Sequence, residues 1–351
     1  MIPTRRIKLA LFAVLLALCL FTLSVYFFNG NEWLRAYKAS LSSNDDGRIV
    51  NGFYVEEDSS WGSTGTNEDT TVVSITHSEP GMTTYYQPVY RPDDTQEPKS
   101  HEIVILLASN GKTSDKKGGQ NVFLECLKNR IMYAKAHNYA FEYVNVSTYD
   151  VPPVWAKMPA ILATMDKYPN AKWVWCLDQD ALLMNRGLSL QDNILNPKVL
   201  LKSLLTNTPF SNDIASLGTP DKYRMSDLDN IGLILSKDLE GLNAGSFFVR
   251  ATPLMRMFLD MWTEPSFRTN EVVKNEQELL EYFAKHHPEL TSHVGLVSPK
   301  KINSFDAAEE YIRYTEGDLV IHFAGCWVEN RCEELWNRYY DMSPKDDEVH
   351  L

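Results

Sequence analysis

Between His101 and Leu177 the hydrophobic pattern of the chain changes period repeatedly, and this constrains the fold more than any other feature of the sequence. Glu102 to Ser109, EIVILLAS, is a continuous apolar run of strand length, the pattern of a strand buried on both faces. A polar loop from Asn110 to Gln120 follows. Next, Phe123, Leu127, Ile131 and Ala134 recur at helical spacing with Lys and Arg between them, and HNY closes the segment ahead of a second strand, FEYVNV. KMPAILATMDKYPN gives a short helix with Pro159 in its first turn, where a missing N–H is tolerated. KWVWCL gives a third strand. The alternation predicts an open, mostly parallel α/β sheet, in which ligands lie beyond the carboxyl ends of the strands.

Two aspartates stand where the third strand ends. In NAKWVWCLDQDALLMN, Asp178 and Asp180 follow Lys172 to Leu177 directly, at the edge where a ligand would sit. If the chain stays extended, residues two apart point the same way and both carboxylates reach one point. Close carboxylates repel unless a positive charge lies between them, and oxygen ligands suit a hard divalent cation such as Mn²⁺ or Mg²⁺. A helix N-cap with a surface aspartate is the competing local reading. The triplet recurs as Asp227-Leu228-Asp229 in TPDKYRMSDLDN, where no apolar strand leads in, and that copy reads as a solvated loop.

The amino-terminal part has a different composition. Leu9 to Phe28 carries no charge and matches the ~20 residues a helix needs to cross a bilayer. Arg5, Arg6 and Lys8 precede it, which makes residues 1–8 a cytoplasmic tail by the positive-inside rule. The run exceeds the ~7–15 residues of a signal-peptide core and ends in VYFFN instead of small residues, so 9–28 reads as the uncleaved anchor of a single-pass type II membrane protein. Residues 29–99 are rich in Ser, Thr, Asn, Asp, Gly and Pro, bury too little to offset their ordering entropy, and read as a lumenal stem; Trp61 and TTYYQPVY could dock on the domain. The domain itself spans 100–340, with a tail at 341–351. A chain that is 44% hydrophobic can bury a sizeable core, while a net charge of −12 argues against a nucleic-acid partner, which would ask for clustered Lys and Arg.

LDQDALLMN, with LSLQ and NPK shortly after, then LNAGSFFVR, NEQELLEYF and YTEGDLVIHFAGC, keep an order and spacing from His101 to Arg338 that resembles the fungal galactosyltransferase and mannosyltransferase family, glycosyltransferase family 34. The resemblance implies a Rossmann-like GT-A fold, a nucleotide-sugar donor, Mn²⁺ with Mg²⁺ as the alternative, and retention of the alpha configuration. It implies Asp178, Asp180 and His322 as metal ligands. Asp178 then joins Ser109, Asn110, Asn243, Gly245, Ser246 and Gly325 in binding the donor, and Glu276, Gln277 and Asp180 become the catalytic candidates. Local readings stand beside these roles. A lone His in the apolar strand LVIHF is often a core residue. Asn-Ala-Gly is an ordinary turn, although Gly245 lets the backbone approach a ligand and Asn243 and Ser246 offer hydrogen bonds suited to sugar hydroxyls. Glu276 opens an amphipathic helix, whose amino terminus favours an acid.

Within the family, DQDALLMN, LSLQ and EGDL resemble the alpha-1,6-mannosyltransferase subunit of the Golgi mannan polymerase II complex, whereas LNAGSFFVR and HFAGC also resemble the alpha-1,2-galactosyltransferases. The expected activity is transfer of mannose from GDP-mannose to mannosylated N-glycans at the Golgi membrane, with other mannosyltransferase subunits as partners. The alternatives are galactose transfer from UDP-galactose and a weakly catalytic structural subunit. Retention requires either a covalent sugar-enzyme intermediate or same-face attack on an oxocarbenium-like ion pair, and the residues do not choose between them.

Five cysteines fit a lumenal enzyme without a dense disulfide framework. Cys19 lies in the apolar run, Cys126 and Cys176 fall on apolar faces, and Cys326 and Cys332 are close enough to bridge a loop over the site. Four zinc ligands do not cluster. Spacing makes Trp173, Trp175 and Trp262 core residues and leaves Trp327, beside Cys326, to stack on a sugar. Asn145-Val146-Ser147, at a predicted strand end, is the one N-glycosylation sequon.

Overall fold

The computed structural model describes residues 97–112, 120–212, 217–269, 273–328 and 330–343, together with the backbone of two strands at 73–78 and 81–86. The anchor read at 9–28, the tail at 1–8 and most of the stem lie outside the described residues. Among the described residues no helix is long and apolar enough to cross a membrane.

The strands are β1 (Val73–Ser78), β2 (Gly81–Tyr86), β3 (Ile103–Ser109), β4 (Ala140–Asn145), β5 (Trp173–Leu177), β6 (Ala181–Leu183), β7 (Leu233–Lys237), β8 (Leu242–Arg250), β9 (Val294–Leu296), β10 (Ser304–Phe305) and β11 (Val320–His322). The longer helices are α1 (Gln120–His137), α2 (Pro153–Lys167), α3 (Pro197–Ser203), α4 (Pro253–Trp262), α5 (Glu276–His286) and α6 (Cys332–Met342). The main sheet has the order β1-β2-β4-β3-β5-β8-β7-β9, and a small second sheet has the order β10-β11-β6. The β1-β2 hairpin falls inside the segment read as stem and joins the sheet through β2, antiparallel to β4.

The predicted βαβαβ unit is present as β3-α1-β4-α2-β5, with β4 and β5 parallel to β3 on opposite sides. That order opens a crevice between the carboxyl ends of β3 and β5, where crossovers leave in opposite directions. The expectation of a mostly parallel sheet needs correcting beyond β5: β8 is antiparallel to both β5 and β7. Eight of the nine β8 residues are buried, so both its faces are covered and its residue pattern carries no mark of direction. A second correction concerns Pro159. The helix begins at Pro153, whose ring suits a first turn, which places Pro159 in the helix interior.

Two apolar layers flank the main sheet. Alternate residues of β3 separate cleanly: Ile103, Ile105 and Leu107 pack with α1, β6, β11 and α6, whereas Val104 and Leu106 pack with α2, α4 and α5. Period-two alternation on a strand covered on both faces produces this division. The small sheet lies on the α1 side, its β6 joined to β5 by the turn that holds the two aspartates.

Candidate metal and donor site

Asp178 is the first residue after β5, and its N–H donates to the Gly245 carbonyl of β8 at 2.8 Å. The chain then turns, with Ala181 N–H donating to the Asp178 carbonyl at 3.1 Å, and β6 begins. This turn is gripped from α1. Arg130, fully buried, donates to the carbonyls of Asp178 (2.7 Å) and Ala181. Its neighbour Asn129 accepts from Leu183 N–H at 3.0 Å and donates to the Leu183 carbonyl at 2.9 Å. Burial pushes the Arg130 guanidinium below its ordinary range, and the nearby acids Asp180 and Asp178 oppose that. Neither Asn129 nor Arg130 is distinctive in sequence, where both read as polar positions between helical apolar residues.

β11 pairs antiparallel with β6 and sets His322 opposite Ala181, with Phe323 N–H donating to the Asp180 carbonyl at 2.9 Å. One ligand atom each of Asp178, Asp180 and His322 can be chosen so that all lie within 4.8 Å of one another. His322 Nε2 is 3.4 Å from Asp180 Oδ1. Donors bound to one cation at ~2.1 Å lie about 3 to 3.5 Å apart when adjacent, so this spacing suits a shared ion. His322 is buried, and its Nδ1 has no hydrogen-bond partner among the described residues. Two carboxylates and an imidazole therefore fit a divalent cation, and Asp178, Asp180 and His322 are the residues that would hold it. Burial raises the Asp178 carboxyl above its usual range, with Lys157 opposing and Asp180 adding to the rise. Burial acts the same way on Asp180, but His322 beside it outweighs this and holds that carboxyl below its usual range.

Gly245 has a different role from the one its motif suggested. A Cβ there would lie 2.0 Å from His322 Cε1, so the missing side chain makes room for the histidine. Asn243 and Ser246 turn inward as well. Asn243 accepts from Gly245 N–H (2.9 Å) and Asn303 (2.9 Å) and donates to Asp238 (2.7 Å), while Ser246, fully buried, accepts from the Trp175 indole at 3.0 Å. Both have hydrogen-bond partners within the protein.

Lys157 is the main residue that sequence reasoning missed. From α2 its ammonium reaches Asp178 Oδ2 (2.8 Å), the Ala244 carbonyl (3.0 Å) and Glu276 Oε1 (3.3 Å). Burial works against its charge, yet Asp178 and Glu276 hold it protonated well above the ordinary lysine range. The available signal was a lysine in WAKMPA among residues most of which pack inward, a position where an unpaired charge is costly. Glu276 is 3% exposed and its carboxyl is raised by burial, with Lys157 opposing. Gln277 accepts from Ala244 N–H at 2.8 Å. Glu276 and Gln277 therefore brace the Ala244–Gly245 backbone and Lys157 from behind, and neither lines the cleft.

The cleft itself, about 450 Å³, opens over the β3/β5 crevice. Asp178, Gln179, Asp180 and Lys157 form its floor, Ser109 and Asn110 stand at the β3 end, and Val154 and Trp327 flank it. Ser109 donates to Gln179 across the crevice. Trp327 is 63% exposed, in contrast to the buried Trp173, Trp175 and Trp262. Its loop is closed by a Cys326–Cys332 disulfide and turns at Gly325, whose φ of +74° glycine adopts without strain. The sequon Asn145 closes β4, its side chain accepting from Ser147 N–H at 3.0 Å.

Residues 99–333 match the family model described as the galactosyl transferase GMA12/MNN10 family. The chain is 48% identical over 264 residues to the Schizosaccharomyces pombe protein named "Probable alpha-1,2-galactosyltransferase gmh1", covering 74% of this chain and 80% of that one. It is 28% identical over 261 residues to the Saccharomyces cerevisiae protein named "Probable alpha-1,6-mannosyltransferase MNN10", covering 68% and 65%. A solved structure of a glycosyltransferase involved in the glycosylation of the major capsid of PBCV-1 superposes with a TM-score of 0.47 at 16% identity, covering 66% and 98%. The chain belongs to the galactosyl transferase GMA12/MNN10 family and is a glycosyltransferase.

Proposed function

We propose that this glycosyltransferase transfers an alpha-linked galactose from UDP-galactose to a mannosylated N-glycan, with retention of configuration, on a GT-A fold. The observation that carries the sugar is the 48% identity with a protein named as an alpha-1,2-galactosyltransferase. Mannose transfer from GDP-mannose, the activity expected from DQDALLMN and EGDL, takes second place, because the relative named as a mannosyltransferase is only 28% identical.

Asp178, Asp180 and His322 hold Mn²⁺ or Mg²⁺ in this reading, which when bound supplies positive charge against the departing nucleoside diphosphate. Ser109 and Asn110 meet the donor at the end of β3. Lys157 keeps Asp178 oriented through a 2.8 Å ion pair, and Arg130 fixes the turn between the two aspartates. Glu276, buried and paired with Lys157 at 3.3 Å, supports same-face attack over a covalent sugar-enzyme, since its carboxylate is committed behind the cleft floor. The acceptor hydroxyl then gives its proton to the leaving diphosphate. Trp327 offers an exposed ring face to a sugar. A Golgi membrane location with the domain lumenal belongs to the same proposal; it is supported by the apolar run 9–28 and by the disulfide, a bond that persists in oxidising compartments.

The test is a donor panel with the full-length protein, Mn²⁺ and an alpha-mannoside acceptor, with the product linkage read by NMR. UDP-galactose should be the preferred donor and the new linkage alpha. Preference for GDP-mannose would overturn the sugar assignment, and a beta product would overturn retention.

A further inference from the structure

The disulfide that closes the Trp327 loop also touches the candidate metal site. Cys326 Sγ lies 3.9 Å from Asp180 Oδ2, the carboxylate oxygen other than the one that faces His322 Nε2. Cys326 is 5% exposed, while the Asp180 side chain it faces lines the cleft. Its partner Cys332 opens α6, and Arg331 N–H donates to the Cys326 carbonyl at 2.8 Å, which fastens the loop independently of the sulfur bridge. Freed from Cys332, the Cys326 side chain would stay next to the carboxylate.

We propose that the Cys326–Cys332 disulfide withholds a fourth, soft ligand from the Asp178–Asp180–His322 site, and that opening it converts a site for a hard divalent cation into one that captures Zn²⁺. The inference rests on the metal reading above. Two carboxylate oxygens and one imidazole are donors that Mn²⁺ and Mg²⁺ share with other metals, whereas a thiolate added to them selects Zn²⁺. In a tetrahedral zinc site an oxygen and a sulfur ligand lie about 3.6 Å apart, so Asp180 would then bind through Oδ2, 3.9 Å from Cys326 Sγ, in place of the Oδ1 that faces His322. A disulfide sulfur is a poor ligand because it carries no charge to share. A dithiol reductant supplies the two electrons and two protons that open the bond, becoming a cyclic disulfide itself, and leaves Cys326 and Cys332 as thiols. On capture of the cation the Cys326 sulfur releases its proton to solvent as the sulfur–metal bond forms. The bridge thus acts as a guard on metal choice, beyond holding the loop.

The experiment uses three forms of the full-length protein: oxidised wild type, Cys332→Ser, and the double variant Cys326→Ser/Cys332→Ser. Wild type reduced with dithiothreitol and desalted without oxygen is the second source of free Cys326 if Cys332→Ser folds poorly. Co²⁺ is added to each as a spectroscopic probe, and Zn²⁺ and Mn²⁺ affinities are measured by calorimetry. The expected result is a near-ultraviolet sulfur-to-Co²⁺ charge-transfer band in Cys332→Ser and in reduced wild type, absent from the other two, with Zn²⁺ bound about tenfold or more tighter where the band appears. The double variant lacks the bridge but also the sulfur, so a loosened loop alone gives no band. Equal Co²⁺ spectra and equal Zn²⁺ affinities in all forms, with Mn²⁺ still bound, would overturn this inference and leave the metal site standing. Absence of Mn²⁺ and Zn²⁺ binding in every form would overturn both.

Discussion

Asp178-Gln179-Asp180 and Asp227-Leu228-Asp229 are the same triplet in two surroundings. The first follows a fully buried strand, is gripped from beneath by Arg130, and meets Lys157 on one carboxylate and His322 on the other. The second forms a single 3₁₀ turn, Met225–Asp229, in which Leu228 packs inward, Asp229 is exposed and Asp227 accepts from Arg224 N–H at 2.7 Å. The carboxylates of one copy meet charged side chains from distant elements, whereas in the other the Asp227 carboxylate caps its own turn and Arg250 reaches only the Leu228 carbonyl, at 2.9 Å. The chemistry of the motif therefore resides in what the fold brings to it.

The largest expected effect tests that contrast directly. Asp180→Asn keeps the size of the side chain and removes the charge facing His322, so transfer should fall by about a hundred- to a thousandfold, while Asp229→Asn should leave it within about twofold. Equal losses from the two substitutions, measured as kcat/KM on folded protein, would erase the distinction. Removing divalent cation with a chelator should abolish transfer in wild type, and Mn²⁺ should restore it.

Lys157→Met is next. It leaves the buried Glu276 and the half-buried Asp178 without their shared counter-charge, which should cost about 3 kcal/mol of stability, read by denaturant unfolding. Lys157→Met/Glu276→Leu should recover much of that stability without recovering activity, because Asp178 still lacks its partner. Recovery of both would show that Lys157 serves the fold alone. Gly245→Ala presses a methyl into His322 and should lower metal affinity or activity by about 10- to 100-fold, the usual scale for groups that orient a ligand. Unchanged Mn²⁺ affinity in that variant would remove the close approach from the account of the site.

The smallest effect concerns a carboxylate on which burial outweighs pairing. Glu142 is a single buried carboxylate, held by Lys167 at 2.9 Å and by Tyr168, and burial pushes its carboxyl up to about 7. Its folded value is raised above the unfolded one. Its contribution to stability is therefore complete below about pH 4.5 and is lost as pH rises through about 7. Glu142→Gln should flatten the fall in Tm across that window, and an unchanged slope would show that Glu142 stays ionised throughout.

Much of this was legible in the chain. EIVILLAS, the α1 spacing and KWVWCL marked β3, α1 and β5, and their order located the crevice that Asp178 and Asp180 face. His322 entered through family likeness, and β11 sets it 3.4 Å from Asp180. Lys157, Arg130 and Asn129 were not legible, because each acts through contacts 21 to 119 residues away that no local pattern encodes. The protein partners of Asn243 and Ser246 were hidden for a related reason. A strand buried on both faces hides which residues meet a ligand, and Ser246 meets Trp175 instead. Gln277 was expected at the sugar, but its partner is a backbone N–H, and that preference is invisible without the neighbouring strand.

The grip of Asn129 on Leu183 has a consequence for where the small sheet stops. One edge of β6 pairs with β11, and an exposed opposite edge would be a template on which another extended segment could add. The carboxamide of Asn129 presents one acceptor and one donor to Leu183, as a residue of a neighbouring strand would, and so stands in for the next strand with a single side chain. The sheet is terminated from a helix, which leaves the strand that carries the aspartate turn with no vacant edge at Leu183 for a misfolded or foreign chain to extend.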